Sequence, residues 1–108
     1  MENLEEAKRL LKDAESCLST AKSNLSLKEW RVVSQYSQLA VELSAKAIIA
    51  CFEEPRWTHD PSEELDEIVQ THKHEIVRLL GEDMIERLAH LSEEAEQAAP
   101  WHGWSTYG

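Results

Sequence analysis

Apolar residues recur along this chain at steps of three and four, and four separate stretches carry that rhythm. The first is Leu4, Ala7, Leu11, Ala14, Leu18, Ala21 and Leu25, a seam sustained over three heptads and opened by Asn3 with Glu6 as its capping partner. The second passes through Trp30, Val33, Ser37, Ala40, Leu43 or Ser44, Ala47 and Cys51. Ser26-Leu27-Lys28-Glu29 reads as its capping box, and Glu53-Glu54-Pro55 ends it, because proline disfavours helix in the residue before it. Asp60-Pro61-Ser62-Glu63 then supplies a cap, a proline at the first helical position and a capping-box glutamate. Leu65, Ile68, Val69, His72, Ile76, Leu79 and Leu80 share the face of this third helix, and Gly81 stops it. Asp83 with Glu86 caps the fourth, which turns Met84 or Ile85, Leu88, Leu91, Ala95 and Ala98 or Ala99 inward as far as Pro100. Four amphipathic helices on short connections predict an all-α, up-and-down four-helix bundle.

Composition agrees. Only 3 Gly and 3 Pro interrupt 108 residues, so the expectation is one helical domain over 1–108, with 100–108 as an aromatic-rich tail. The net charge of −10, from 21 acidic against 11 basic residues, disfavours charge-driven binding to DNA or to a membrane surface. RNA contact would need a local basic or histidine site. The start carries no charged-then-apolar leader, and no apolar run is long enough to span a bilayer, which points to a cytoplasmic protein. Cys17 and Cys51 have no CxxC spacing and read as free thiols.

Candidate chemistry gathers on the second helix. Gln38, Glu42 and Lys46 stand four residues apart on one stripe, beside a stripe of small residues, Ser37, Ala40, Ser44 and Ala47. The small residues admit a partner backbone, and the polar row is expected to face outward toward it. The alternative is an ordinary surface ion pair between Glu42 and Lys46. Thirteen residues after Lys46 come His59 and Asp60, just before the third helix, where amides and the macrodipole favour an anion. Arg56 and Lys46 would lend it charge. On the other reading His59 and Asp60 fix the loop, with Asp60 as the cap.

Trp30 through Ile49, WRVVSQYSQLAVELSAKAII, followed by Thr58-His59-Asp60-Pro61, resembles the second helix and the His-Asp opening of the third helix in HEPN-domain proteins. These are small helical proteins that often accompany minimal nucleotidyltransferases. The resemblance implies an interaction or nucleotide-associated module in a toxin–antitoxin-like pair, partnered by such a nucleotidyltransferase. A homodimer through the second and fourth helices is also expected. Gln38, Glu42, Lys46, Arg56, His59 and Asp60 would then contact ligand or partner. HEPN ribonucleases resemble one another in an arginine followed four to six residues later by a histidine. Here Arg56 precedes His59, and Arg87 precedes His90, by only three. The catalytic motif is absent, so a non-enzymatic role leads. A metal-independent ribonuclease acting across a dimer cleft, with His59 as acid or base, is the alternative, and a plain oligomerisation domain the third reading. Many relatives carry a fifth helix, which is expected to be absent or truncated here.

The remaining histidines and aromatics read more plainly. His72 on an apolar face is expected to be a satisfied, partly buried residue, and His74, two residues away, points elsewhere, so the two cannot share a metal. Arg87 and His90 share a solvated helix face. Trp101, His102, Trp104 and Tyr107 could stack on bases or close one end of the bundle. No Gly-rich phosphate loop, Ser-His-Asp set or HExxH is present, and no cofactor or metal is expected.

Overall fold

A computed structural model describes residues 4–56 and 58–100. Among them lie five helices and no strand: α1 (Leu4–Leu25), α2 (Trp30–Ala50), α3 (Ser62–Thr71), α4 (Lys73–Leu80) and α5 (Asp83–Ala98). The Asn3 cap, the aromatic tail and the place of a further helix after α5 lie outside the described residues. The all-α bundle is there, and its third predicted helix is divided in two.

The division falls at His72, whose φ of −109° and ψ of 18° leave the helical region. Hydrogen bonding runs through the break: the His72 amide donates to Ile68 O at 2.9 Å, and its carbonyl accepts from Ile76 N at 3.0 Å. The imidazole lies flat on Phe52, ring centroids 4.3 Å apart and 24° between planes. His72 is therefore the satisfied, half-buried residue its pattern suggested. Aromatic stacking from the end of α2 accompanies a break that no proline or glycine marks.

Turn chemistry also departs from the expected capping box before α2. The Ser26 hydroxyl donates back to Ser23 O at 3.1 Å, and Glu29 at the helix entrance makes no capping bond. Residues 26–28 form a tight turn with Lys28 at φ +58°, a left-handed conformation awkward for any side chain but glycine. Gly81, at φ +95°, ends α4 as its position suggested.

The main core joins Ala45 and Ile49 of α2, Leu65 and Ile68 of α3, and Ala95 of α5. The Ser92 hydroxyl, buried on α5, donates to Ser62 O at 3.1 Å and ties the two later helices together. A smaller core lies between α1 and α2, where Ala7 and Leu10 meet Ala47 and Ala50. Helix α1 packs along α2 and closely approaches no other helix, whereas α5 touches α2, α3 and α4. The expected α1 seam is correspondingly half right. Its alanines are buried with Leu10, but Leu4, Leu11, Leu18 and Leu25 are 40% to 53% exposed. Leu79 and Leu80, expected on the inner face, are also exposed, because α4 beyond Ile76 reaches past the core. Cys17 and Cys51 are free, and burial raises both thiol pKa values, which makes them poor nucleophiles.

Candidate functional site

The polar row on α2 turns inward rather than outward. Gln38 and Glu42 are buried, and Lys46 is nearly so, with its side chain 15% exposed. The four-residue spacing correctly put them on one stripe. It could not reveal that the segment before α3 folds back and sets His59 against Glu42.

Glu42 is the hub. Its side chain is 8% exposed, and its two oxygens take separate partners: Lys46 Nζ donates to Oε2 at 3.0 Å, and His59 Nδ1 lies 3.2 Å from Oε1. A buried carboxylate is tolerated only when it is paired and hydrogen-bonded, and this one is both. The contact fixes the His59 ring by its Nδ1 side. The His59 side chain is 61% exposed.

Asp60 is a structural residue. Its Oδ1 accepts from the Ser62 amide at 3.1 Å and from the Ser62 hydroxyl at 2.6 Å, satisfying the first turn of α3. The Thr58 hydroxyl accepts from the Asp60 amide at 3.1 Å, so residues 58–62 form a tightly bonded entry that holds His59 over Glu42. Asp60 fixes the loop as expected, but the cap position falls to Pro61, which makes no side-chain capping bond, and α3 begins at Ser62 rather than at Pro61.

Arg56 does not join the Glu42 cluster. Its guanidinium donates to Glu67 at 3.0 Å and lies 3.7 Å from Glu64 Oε2, while its backbone amide donates to Glu64 Oε1 at 3.1 Å. Glu64 is buried, and its pKa is raised, first by desolvation and further by the neighbouring Glu53 carboxyl; the Arg56 amide and charge oppose the rise. Acids on α3 hold Arg56 firmly in its charged form, Glu67 most strongly.

Arg56 and Lys46 meet again across a cleft of about 620 Å³. Its walls are Glu6, Arg9 and Leu10 from the first turns of α1, Leu43 and Lys46 from α2, and Glu54, Pro55 and Arg56 from the following loop. The volume falls within the usual range for small-molecule sites. Three elements distant in sequence thus place three cations around one hollow, in a chain whose net charge is −10. Arg9 escaped the sequence reading because it looks like an i,i+3 and i,i+4 ion-pair residue, and it does pair with Glu6 and with Asp13 at 3.3 Å. Only the α1–α2 hairpin brings it opposite Lys46. Gln38 sits elsewhere, two turns before Lys46, beside a shallow hollow lined by Ser34, Ser37, Val41 and Ala98.

Arg87 and His90 pair with Asp83 and Glu93 on a solvated face of α5 and build no site. Among the described residues no group of three or more metal-ligating side chains converges, and no helix is long and apolar enough to cross a membrane.

Comparison of the whole chain with protein families matches the model of the HEPN domain over residues 7–99. The chain belongs to the HEPN family. That match runs from the second turn of α1 to the end of α5 and includes the Glu42 hub and every cleft residue but Glu6. HEPN membership marks it as a nucleotide- or RNA-related module. No curated protein and no solved structure gives a significant match.

Proposed function

We propose that this HEPN chain is a nucleotide-associated interaction module that receives the phosphates of its ligand in the cleft between Arg9, Lys46 and Arg56. One observation carries the reading: in a strongly acidic protein, three cations from three elements border a single cleft of ligand size. Lys46 spends one of its three donors on Glu42, which leaves two for an oxyanion. Arg9 and Arg56 are more than half exposed, and their planar forks, which here donate to carboxylates, are of the shape that suits phosphate oxygens. Their carboxylate partners set a limit, since a ligand must compete with Glu6 and Asp13 for Arg9 and with Glu64 and Glu67 for Arg56. The site therefore suits a polyanion such as a nucleoside triphosphate better than a single phosphate.

The finer reading is that the ligand arrives with a minimal nucleotidyltransferase, in a toxin–antitoxin-like pair. Family resemblance and the adjacency of His59 to the cleft residue Lys46, through Glu42, support it. Purified chain should be stabilised in a thermal-shift assay by ATP or inorganic triphosphate, by about 2.7 kcal/mol at a hundredfold excess over Kd. A small nucleotidyltransferase encoded beside it should co-purify with it. Absence of any nucleotide shift would remove the ligand reading, and failure of the two proteins to associate would remove the partner.

A ribonuclease reading keeps one specific support, the exposed imidazole held by buried Glu42. Against it stand the arginine–histidine spacing and the engagement of Arg56 by Glu64 and Glu67. Cleavage of a mixed RNA pool by wild type, lost in His59→Ala, would reverse the preference.

A further inference from the structure

Helices α1 and α5 flank α2 without approaching each other, so a groove runs between them over α2. Two hollows make it up. One, of about 330 Å³, is lined by Ser34, Ser37, Gln38 and Val41 of α2 and by Ala98 at the end of α5. The other, of about 320 Å³, shares Ser37 and Val41 and continues over Ala40 and Ser44 to Leu91 of α5. Both stand at the lower end of binding-site size, suited to single aromatic side chains.

Chain direction supplies the occupant. Helix α5 passes Leu91 beside the second hollow and then Ala98 beside the first, so it releases the chain at one end of the groove. Trp101 lies three residues beyond Ala98, within about 10 Å of it, and Trp104 six residues beyond, within about 20 Å. Pro100 cannot continue a helix, and Gly103 gives the backbone freedom to reverse. A segment on such a short tether meets the groove at an effective concentration in the millimolar range, ahead of a separate partner at micromolar concentration.

The chemistry matches. Trp101, Trp104 and Tyr107 carry large apolar faces, and the wall residues Ser34 and Ser37 bring hydroxyls, acceptors of the kind a buried indole N–H needs. Charge points the same way. Glu15 and Glu94 line the groove, while residues 101–108 contain a histidine and none of the 21 acidic residues of the chain. An acidic helix would be repelled there, and this tail is not.

We propose that the aromatic tail turns back at Pro100–Gly103 and docks along the α2–α5 side of the groove, with Trp101 in the hollow beside Ala98 and Trp104 between Val41 and Leu91. The contact lies within one chain. It is independent of any ligand in the Arg9–Lys46–Arg56 cleft, which opens toward the other end of α2.

Fluorine NMR of the full chain labelled with 5-fluorotryptophan tests it, each of the four signals being assigned by replacing its tryptophan with phenylalanine. A soluble gadolinium chelate should relax Trp101 and Trp104 at least threefold less than Trp30, which is 61% exposed, and this protection should persist on tenfold dilution. Ser37→Phe fills the wall that the two hollows share and should bring both signals to the Trp30 level. Ser34→Glu, at an exposed position, guards against misfolding: it should raise the relaxation of Trp101 at least twofold with helix content unchanged. Tail indoles as accessible as Trp30, protection lost on dilution because the tail docks on a second copy, or protection that survives both substitutions would each overturn the proposal.

Discussion

The two flanks of α2 solve opposite problems. Around Glu42 and Lys46 it buries charge, with His59 of the following loop on one carboxylate oxygen and the Arg9 cleft beside the lysine. Toward α1 it buries mostly alanine and leaves leucine outside. A chain selected only for a stable monomer would exchange these choices, since buried ion pairs add little over well-packed apolar groups and exposed leucines invite association. The contrast is one of chemistry: α2 takes charge out of water where residues 58–62 meet it, while the α1 side keeps its large apolar groups exposed.

Core truncation gives the largest separation between the flanks. Leu65→Ala, at a fully buried position, should cost about 4 kcal/mol in urea unfolding, whereas Leu18→Ala should cost within roughly 0.5 kcal/mol at concentrations where the chain is monomeric. Comparable losses at the two positions would mean that α1 is packed on both sides, and the contrast would fail.

Next comes the buried pair. Lys46→Ala strands the Glu42 carboxylate with only His59 beside it and should cost about 3 kcal/mol at neutral pH. The double replacement Glu42→Leu with Lys46→Leu removes both charges and should recover most of that loss. A double-mutant cycle reads the coupling directly. Additive losses would reduce the pair to a surface contact of little consequence.

The smallest expected effect has the opposite sign. Glu64 has its pKa raised by burial, so protonation favours the folded state: its stabilising contribution is full below the unfolded-state value and is lost as pH rises through the folded one. Glu64→Gln should therefore stabilise the protein at pH 7, by on the order of 1 kcal/mol. The side-chain oxygen still accepts from the Arg56 amide, and the new NH₂ faces Glu53. Thermal unfolding should show the gain shrinking toward pH 4. A destabilised variant at pH 7 would mean that the ionised carboxylate beside Arg56 is worth more than its desolvation costs.

Periodicity made the bundle legible, because apolar spacing and the stop signals at Pro55, Gly81 and Pro100 are local properties of sequence. The break at His72 was not legible, since no proline or glycine marks it and the Phe52 ring that stacks on His72 comes from the far end of α2. On α1 two adjacent rows, the leucines and the alanines, fit the same heptad, and period alone cannot choose which one faces α2. The stripe of Gln38, Glu42 and Lys46 was correctly read as one face, yet its inward turn rests on tertiary neighbours, among them His59, which the Thr58, Asp60 and Ser62 bonds hold against Glu42. Arg9 lies 37 residues before Lys46 in sequence and enters the cleft only through the helical hairpin.

Isothermal titration of ATP into the purified chain bears most directly on the reading of the cleft. Wild type should bind one ATP per chain, and Arg9→Ala with Arg56→Gln should weaken binding at least tenfold while Arg87→Ala, on the far solvated face, leaves it unchanged. Equal heats for all three proteins, or none for wild type, would contradict a phosphate site between Arg9, Lys46 and Arg56.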